Sequence, residues 1–137
     1  MRVKLIDFDY FEKPRRNYNN DAGLDVYANK SVVIEPHTTV AIPLGFGLEL
    51  PDGYMGVIYN RSSYSKKGLL SSNAPIDSGY RGEVHCILTN STNNKVYIDR
   101  GDRVGQLVII PIVLATLIED SENERQRGTK GFGSSGK

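Results

Sequence analysis

The sequence predicts an all-β fold of jelly-roll type, a β-sandwich or barrel with at most one short helix and a flexible glycine-rich C-terminal tail. Three observations predict it. Apolar residues alternate over short runs, clusters of Gly, Pro, Asn and Asp separate those runs at close intervals, and no segment sustains a helical apolar stripe. Val3 and Leu5, followed by Phe8, open the first run. Residues 32–34, 39–44 and 46–50 carry the next three, punctuated by Glu35-Pro36 and Gly45. Pro51-Asp52-Gly53 is a turn with a mechanism, since proline presets one torsion and glycine tolerates the left-handed position. A strand over 54–59 follows, and Val84, Cys86 and Leu88 alternate along another. Ser91-Thr92-Asn93-Asn94 and Arg100-Gly101-Asp102 supply two more turns. The single short helix falls at 63–67, ended by Gly68.

A chain of 137 residues has the size of one domain with a genuine core, and 39% hydrophobic with 24% charged residues is a globular composition. The formal net charge of +1 supplies no long-range field for a nucleic-acid backbone or an acidic membrane, although a few local cations suffice for a compact phosphate ligand. Cys86 is the only cysteine, which excludes an intrachain disulfide. The first residues carry no apolar leader, and the longest apolar run, 107–114, is interrupted by Pro111 and too short to span a bilayer. These features lead to the expectation of a cytoplasmic protein with neither nucleic-acid nor membrane partners.

From Glu119 onward the chain is almost wholly polar, charged or glycine. The division expected is therefore a β jelly-roll domain over 1–118 and a mobile C-terminal segment over 119–137. Composition alone suits a frayed terminus, yet Arg127, the glycines, Ser134, Ser135 and the single aromatic Phe132 also suit a clamp on phosphate and base. Gly131 to Gly136 spell GxGxxG, but a dinucleotide site needs a helix after that motif and the sequence runs only one residue further. No Walker A triplet is present either. His37, His85 and Cys86 have no partners at metal-ligand spacing.

Five segments, weak singly, stand in a telling order. They are Asp21-Ala22-Gly23-Leu24-Asp25-Val26-Tyr27-Ala28, Arg61-Ser62-Ser63, Ala74-Pro75-Ile76-Asp77-Ser78-Gly79-Tyr80-Arg81-Gly82, Gly101-Asp102-Arg103-Val104-Gly105-Gln106-Leu107, and the glycine-rich tail. Together they resemble the five motifs of the trimeric dUTPase family, across residues 21–136. The resemblance implies a jelly-roll subunit, a homotrimer with active sites where subunits meet, and magnesium-dependent hydrolysis of dUTP to dUMP and pyrophosphate.

It also implies roles. Asp77 matches the general base that deprotonates the water attacking the α-phosphorus, and Tyr80 matches the ring that packs under the deoxyribose and excludes a 2′-hydroxyl. The backbone of Asn73, Pro75 and Ile76 would read the uracil edge. Arg61, Ser62, Ser63 and Gln106 would contact phosphates, while Arg127, Gly133, Ser134 and Ser135 clamp the terminal ones and Phe132 stacks on uracil. Asp25 resembles the aspartate that reaches Mg2+ through a coordinated water, whereas Asp102 and Arg103 read as a turn and a salt bridge. The pattern departs from the family at Asn60, where proline is frequent, at Ser63, at Ala74-Pro75 and at Lys130. The nearest rival, dCTP deaminase, shares an Arg-Ser-Ser segment, but its second arginine corresponds here to Lys66.

Overall fold

The structure, a computed structural model, describes residues 1–120. Those residues form β1 (Lys4–Asp7), β2 (Leu24–Tyr27), β3 (Val32–Ile34), β4 (Thr39–Pro43), β5 (Phe46–Glu49), β6 (Tyr54–Tyr59), α1 (Ser62–Lys66), β7 (Leu69–Ser71), β8 (His85–Asn90), β9 (Val96–Ile98) and β10 (Arg103–Pro111). Every strand pairing is antiparallel. β1 pairs with β5, β10 lies between β2 and β6, β3 pairs with β9, and β8 lies between β4 and β7.

The four sheets share one core. Alternation along β8 sends Cys86, Leu88 and Asn90 inward and leaves His85 exposed. Ile42 joins them from β4 of the same sheet, and Val26, Ile34, Phe46, Val104 and Leu107 join the cluster from the other sheets. Each such apolar side chain contributes about 1.5–3 kcal/mol on burial. Asn90 is the one buried polar residue among those described, and its carboxamide is satisfied by the Ile34 and Asn94 carbonyls and by Thr92.

The jelly-roll, strand-dominated class holds, with small packed sheets rather than one closed barrel. Strands at 32–34 and 54–59 coincide with the sequence reading, Gly53 turns at φ +87°, and the helix begins one residue early. β2, β7, β9 and β10 are strands that the sequence pattern does not predict. Two of them, β2 and β10, supply Asp25, Arg103 and Gln106.

Candidate active site

A polar cleft of about 310 Å³ opens over the β2–β10–β6 sheet, lined by Asp25, Arg61, Ser62, Ser63, Arg103, Gly105 and Gln106. Register explains the gathering. Gln106 on the central strand stands opposite Asp25 on one side and Tyr59 on the other, so the three share a face. Arg103 lies three residues before Gln106, and in a regular strand it would point the other way. A β-bulge between Arg103 and Gly105 inserts one residue against β2, so Arg103 pairs with Tyr27 and returns to the cleft face. Its Nη1 then donates to Asp25 Oδ2 at 3.2 Å. Asp25 Oδ1 has no partner among the described residues.

The turn after β6 delivers the remaining polar groups. Arg61 is the N-cap of α1, followed by Ser62 and Ser63. Arg61 Nη1 and the Tyr64 hydroxyl both donate to the Arg103 carbonyl at 3.0 Å, and the guanidinium lies 4.7 Å over the Tyr64 ring. This pins α1 to β10 just where the bulge occurs. Burial pushes the Tyr64 hydroxyl pKa up, with Arg61 partly opposing it, so Tyr64 stays a donor at neutral pH. Gly23 matters for room: a Cβ there would lie 2.6 Å from Gln106 Oε1.

A second cleft, of about 220 Å³, is lined by Asn73, Ala74, Pro75, Ile76, Asp77 and Tyr80 together with Ile58, His85 and Ile87. Its wall is fastened in three places. Asn73 Nδ2 donates to the Ile58 carbonyl at 3.1 Å and to Ser71 Oγ at 2.6 Å, and its Oδ1 accepts the Ile87 N–H at 2.8 Å. Ile76 exchanges both backbone hydrogen bonds with Gly56, at 2.7 and 2.9 Å. Arg81 Nη1 donates to the Ser78 carbonyl, bracing the turn that presents exposed Asp77. The Tyr80 ring packs on Gly82, and its hydroxyl donates to the Glu83 carbonyl at 2.7 Å.

The structure thus groups Asp25, Arg61, Ser62, Ser63 and Gln106 in one cleft, and Asn73, Pro75, Ile76, Asp77 and Tyr80 in the other. The two clefts share no lining residue. Arg127, Phe132, Gly133, Ser134 and Ser135 lie outside the described residues. Arg103, read from sequence as a salt-bridge residue, makes that bridge and also lines the polar cleft. Only the bulge, which sequence alternation does not disclose, puts it there.

The dUTPase family model matches residues 9–136. The deoxyuridine 5′-triphosphate nucleotidohydrolase of Tropheryma whipplei is 40% identical over 129 residues, spanning 90% of this chain and 88% of that protein. That of Clostridium tetani is 36% identical over 141 residues, spanning 100% of this chain and 97% of that protein. Among solved structures, a variant dUTPase of Staphylococcus bacteriophage 80alpha with dUpNHpp matches at a TM-score of 0.80 and 30% identity, covering 98% of each chain. A variant dUTPase from the S. aureus phage phi11, described for its coordination of a structural Mg(II) ion, matches at 0.84 and 26% identity, covering 90% of this chain and 99% of that one.

Proposed function

The chain belongs to the dUTPase family, and from that premise we propose how its two clefts divide the work of hydrolysing dUTP to dUMP and pyrophosphate. That reaction removes dUTP and supplies the precursor of dTMP. The apolar cleft takes the base and sugar, and the polar cleft takes the phosphates. The observation that carries this division is the segregation of Asp77 and Tyr80 from Arg61, Ser62, Ser63 and Gln106 into clefts with no residue in common.

Hydrolysis needs a water aligned with the α-phosphorus, a group to take its proton, and compensation for charge on the departing pyrophosphate. Asp77 is exposed at a braced turn and takes the proton as the new oxygen–phosphorus bond forms. The bond to the bridging oxygen breaks, and pyrophosphate leaves with its charge met by Arg61, Gln106 and the serine hydroxyls. Tyr80, held at both Gly82 and the Glu83 carbonyl, gives the sugar a rigid floor. Ile76 is occupied by Gly56, so the base edge falls to the backbone of residues 73–75, which makes no hydrogen bond among the described residues. Pro75 has no N–H, leaving Asn73 and Ala74 as donors and three carbonyls as acceptors. A cleft so lined rejects cytosine, whose donors and acceptors are exchanged relative to uracil.

Magnesium suits this donor set. No cluster of three His, Cys, Asp or Glu occurs among the described residues. Mg2+ does not require one, because it keeps waters and binds substrate phosphates. Arg103 holds Asp25 Oδ2 and leaves Oδ1 to accept from a metal-bound water. When bound, the ion would neutralise phosphate charge.

Cleft segregation also supports a homotrimer in which the apolar cleft of one subunit faces the polar cleft of another. A second feature agrees. Val113, Leu114, Leu117 and Ile118 are 71–93% exposed beyond the last strand, a bare apolar stretch of the kind that subunit contacts cover. Residues 119–137 act as the lid, with Arg127, Gly133, Ser134 and Ser135 on phosphates and Phe132 on the base. A cytoplasmic location fits the reaction, and no helix among the described residues is long and apolar enough to cross a membrane.

The test is pyrophosphate release with magnesium from dUTP beside dCTP, dTTP and UTP, in wild type and Asp77→Asn. Release from dUTP alone is expected, with turnover lowered on the order of 10²–10⁴-fold in the variant and dUTP binding retained. Ammonia from dCTP, or normal turnover by the variant, would contradict the assignment.

A further inference from the structure

Asn60 stands between β6 and α1, and its carboxamide is fully engaged. Oδ1 accepts the Arg61 backbone N–H at 2.9 Å, while Nδ2 donates to Ser65 Oγ and to the Leu69 carbonyl, each at 2.8 Å. The Asn60 carbonyl accepts Gln106 Nε2 at 3.4 Å. One residue therefore ties together the start of the phosphate turn, the body of α1, β7 and the glutamine of β10.

α1 needs such a brace. Its five residues are far below the length at which a helix holds itself, and Arg61 makes no side-chain capping bond. The groups that face the polar cleft sit on this turn, so a small rotation of it would scatter them. We propose that Asn60 is a positioning residue for triphosphate recognition, holding Arg61, Ser62, Ser63 and Gln106 in one frame without touching the substrate. The proposal rests on the reading of the polar cleft as the phosphate site. A proline at this position would stiffen the turn through its ring; here the same stiffness comes from side-chain hydrogen bonds, which leave the backbone N–H of residue 60 intact.

Calorimetric titration with dUMP and with the imidotriphosphate dUpNHpp separates positioning from general stability, because only the second ligand reaches fully into the polar cleft. Asn60→Ala removes all three carboxamide hydrogen bonds and is expected to weaken dUpNHpp about tenfold, while dUMP stays within about twofold. Equal weakening of both ligands, or unchanged dUpNHpp affinity, overturns the proposal. Should Asn60→Ala fail to fold, Ser65→Ala decides, since it removes one of the two Nδ2 acceptors from an exposed position. About threefold weaker dUpNHpp with unchanged dUMP is the expected result, and unchanged dUpNHpp overturns it. Wild-type protein that binds dUpNHpp no more tightly than dUMP would overturn the phosphate reading itself, and this proposal with it.

Discussion

At Gly82 an added Cβ would lie 2.6 Å from the Tyr80 hydroxyl oxygen and 2.7 Å from its Cζ, well inside contact distance. Any side chain there displaces the ring or the backbone, so the identity of residue 82 fixes where residue 80 sits. If Tyr80 is the floor of the sugar site, Gly82→Ala should relax the rejection of a 2′-hydroxyl without touching the base. The expected outcome is a fall of about tenfold in the ratio of kcat/KM for dUTP over UTP. An unchanged ratio would separate Tyr80 from sugar selection. The segment containing both residues was legible in the sequence because turn chemistry and the surrounding motif coincide. Occupation of Ile76 was not legible, because its partner Gly56 lies twenty residues earlier and only the folded register brings them together.

Among the elements, the strands that sequence periodicity found are those with an uninterrupted apolar face, such as β3 and β6. Those it missed have physical reasons. β2 carries Asp25 in its middle because that carboxylate faces the cleft, and β7 loses its apolar pattern at Ser71 after two residues. β10 hides its first half behind a bulge. There Arg103 and Gln106 share a face despite odd spacing, which reads as turn chemistry in a one-dimensional pattern. The same strand ends at Pro111, before the tail. Truncation after Asp120 should therefore abolish most dUTP hydrolysis by removing Arg127, Phe132, Gly133, Ser134 and Ser135. The core sheets would remain, with a melting temperature within about 4 °C of the full chain, the shift expected for less than 1 kcal/mol in a domain of this size. Loss of folding on truncation would make the tail structural.

For the whole molecule, Cys86 reports on core integrity. Burial pushes its thiol up from 9.0 to about 12, and burial likewise raises Tyr64 above 10.0. Both groups are neutral when protonated and have folded values above their unfolded ones. Their contribution is therefore fully present below about pH 9 and is lost as pH rises through 9 towards 12. Urea midpoints should fall across that alkaline window, and less steeply in Cys86→Ala, whatever the variant loses at neutral pH through its cavity. Equal slopes would mean that the thiol is hydrated in the native state.

The central claim at this scale is that a working site joins the Asp77 cleft of one subunit to the Arg61 cleft of another. Asp77→Asn and Arg61→Ala chains, each inactive alone, can be mixed in equal amounts, unfolded and refolded together, and assayed for pyrophosphate release from dUTP. If sites are shared between subunits, random assembly leaves about one site in four with both residues intact, and about a quarter of wild-type activity returns. Activity no greater than the sum of the two variants would place both residues in one subunit's site and contradict the account.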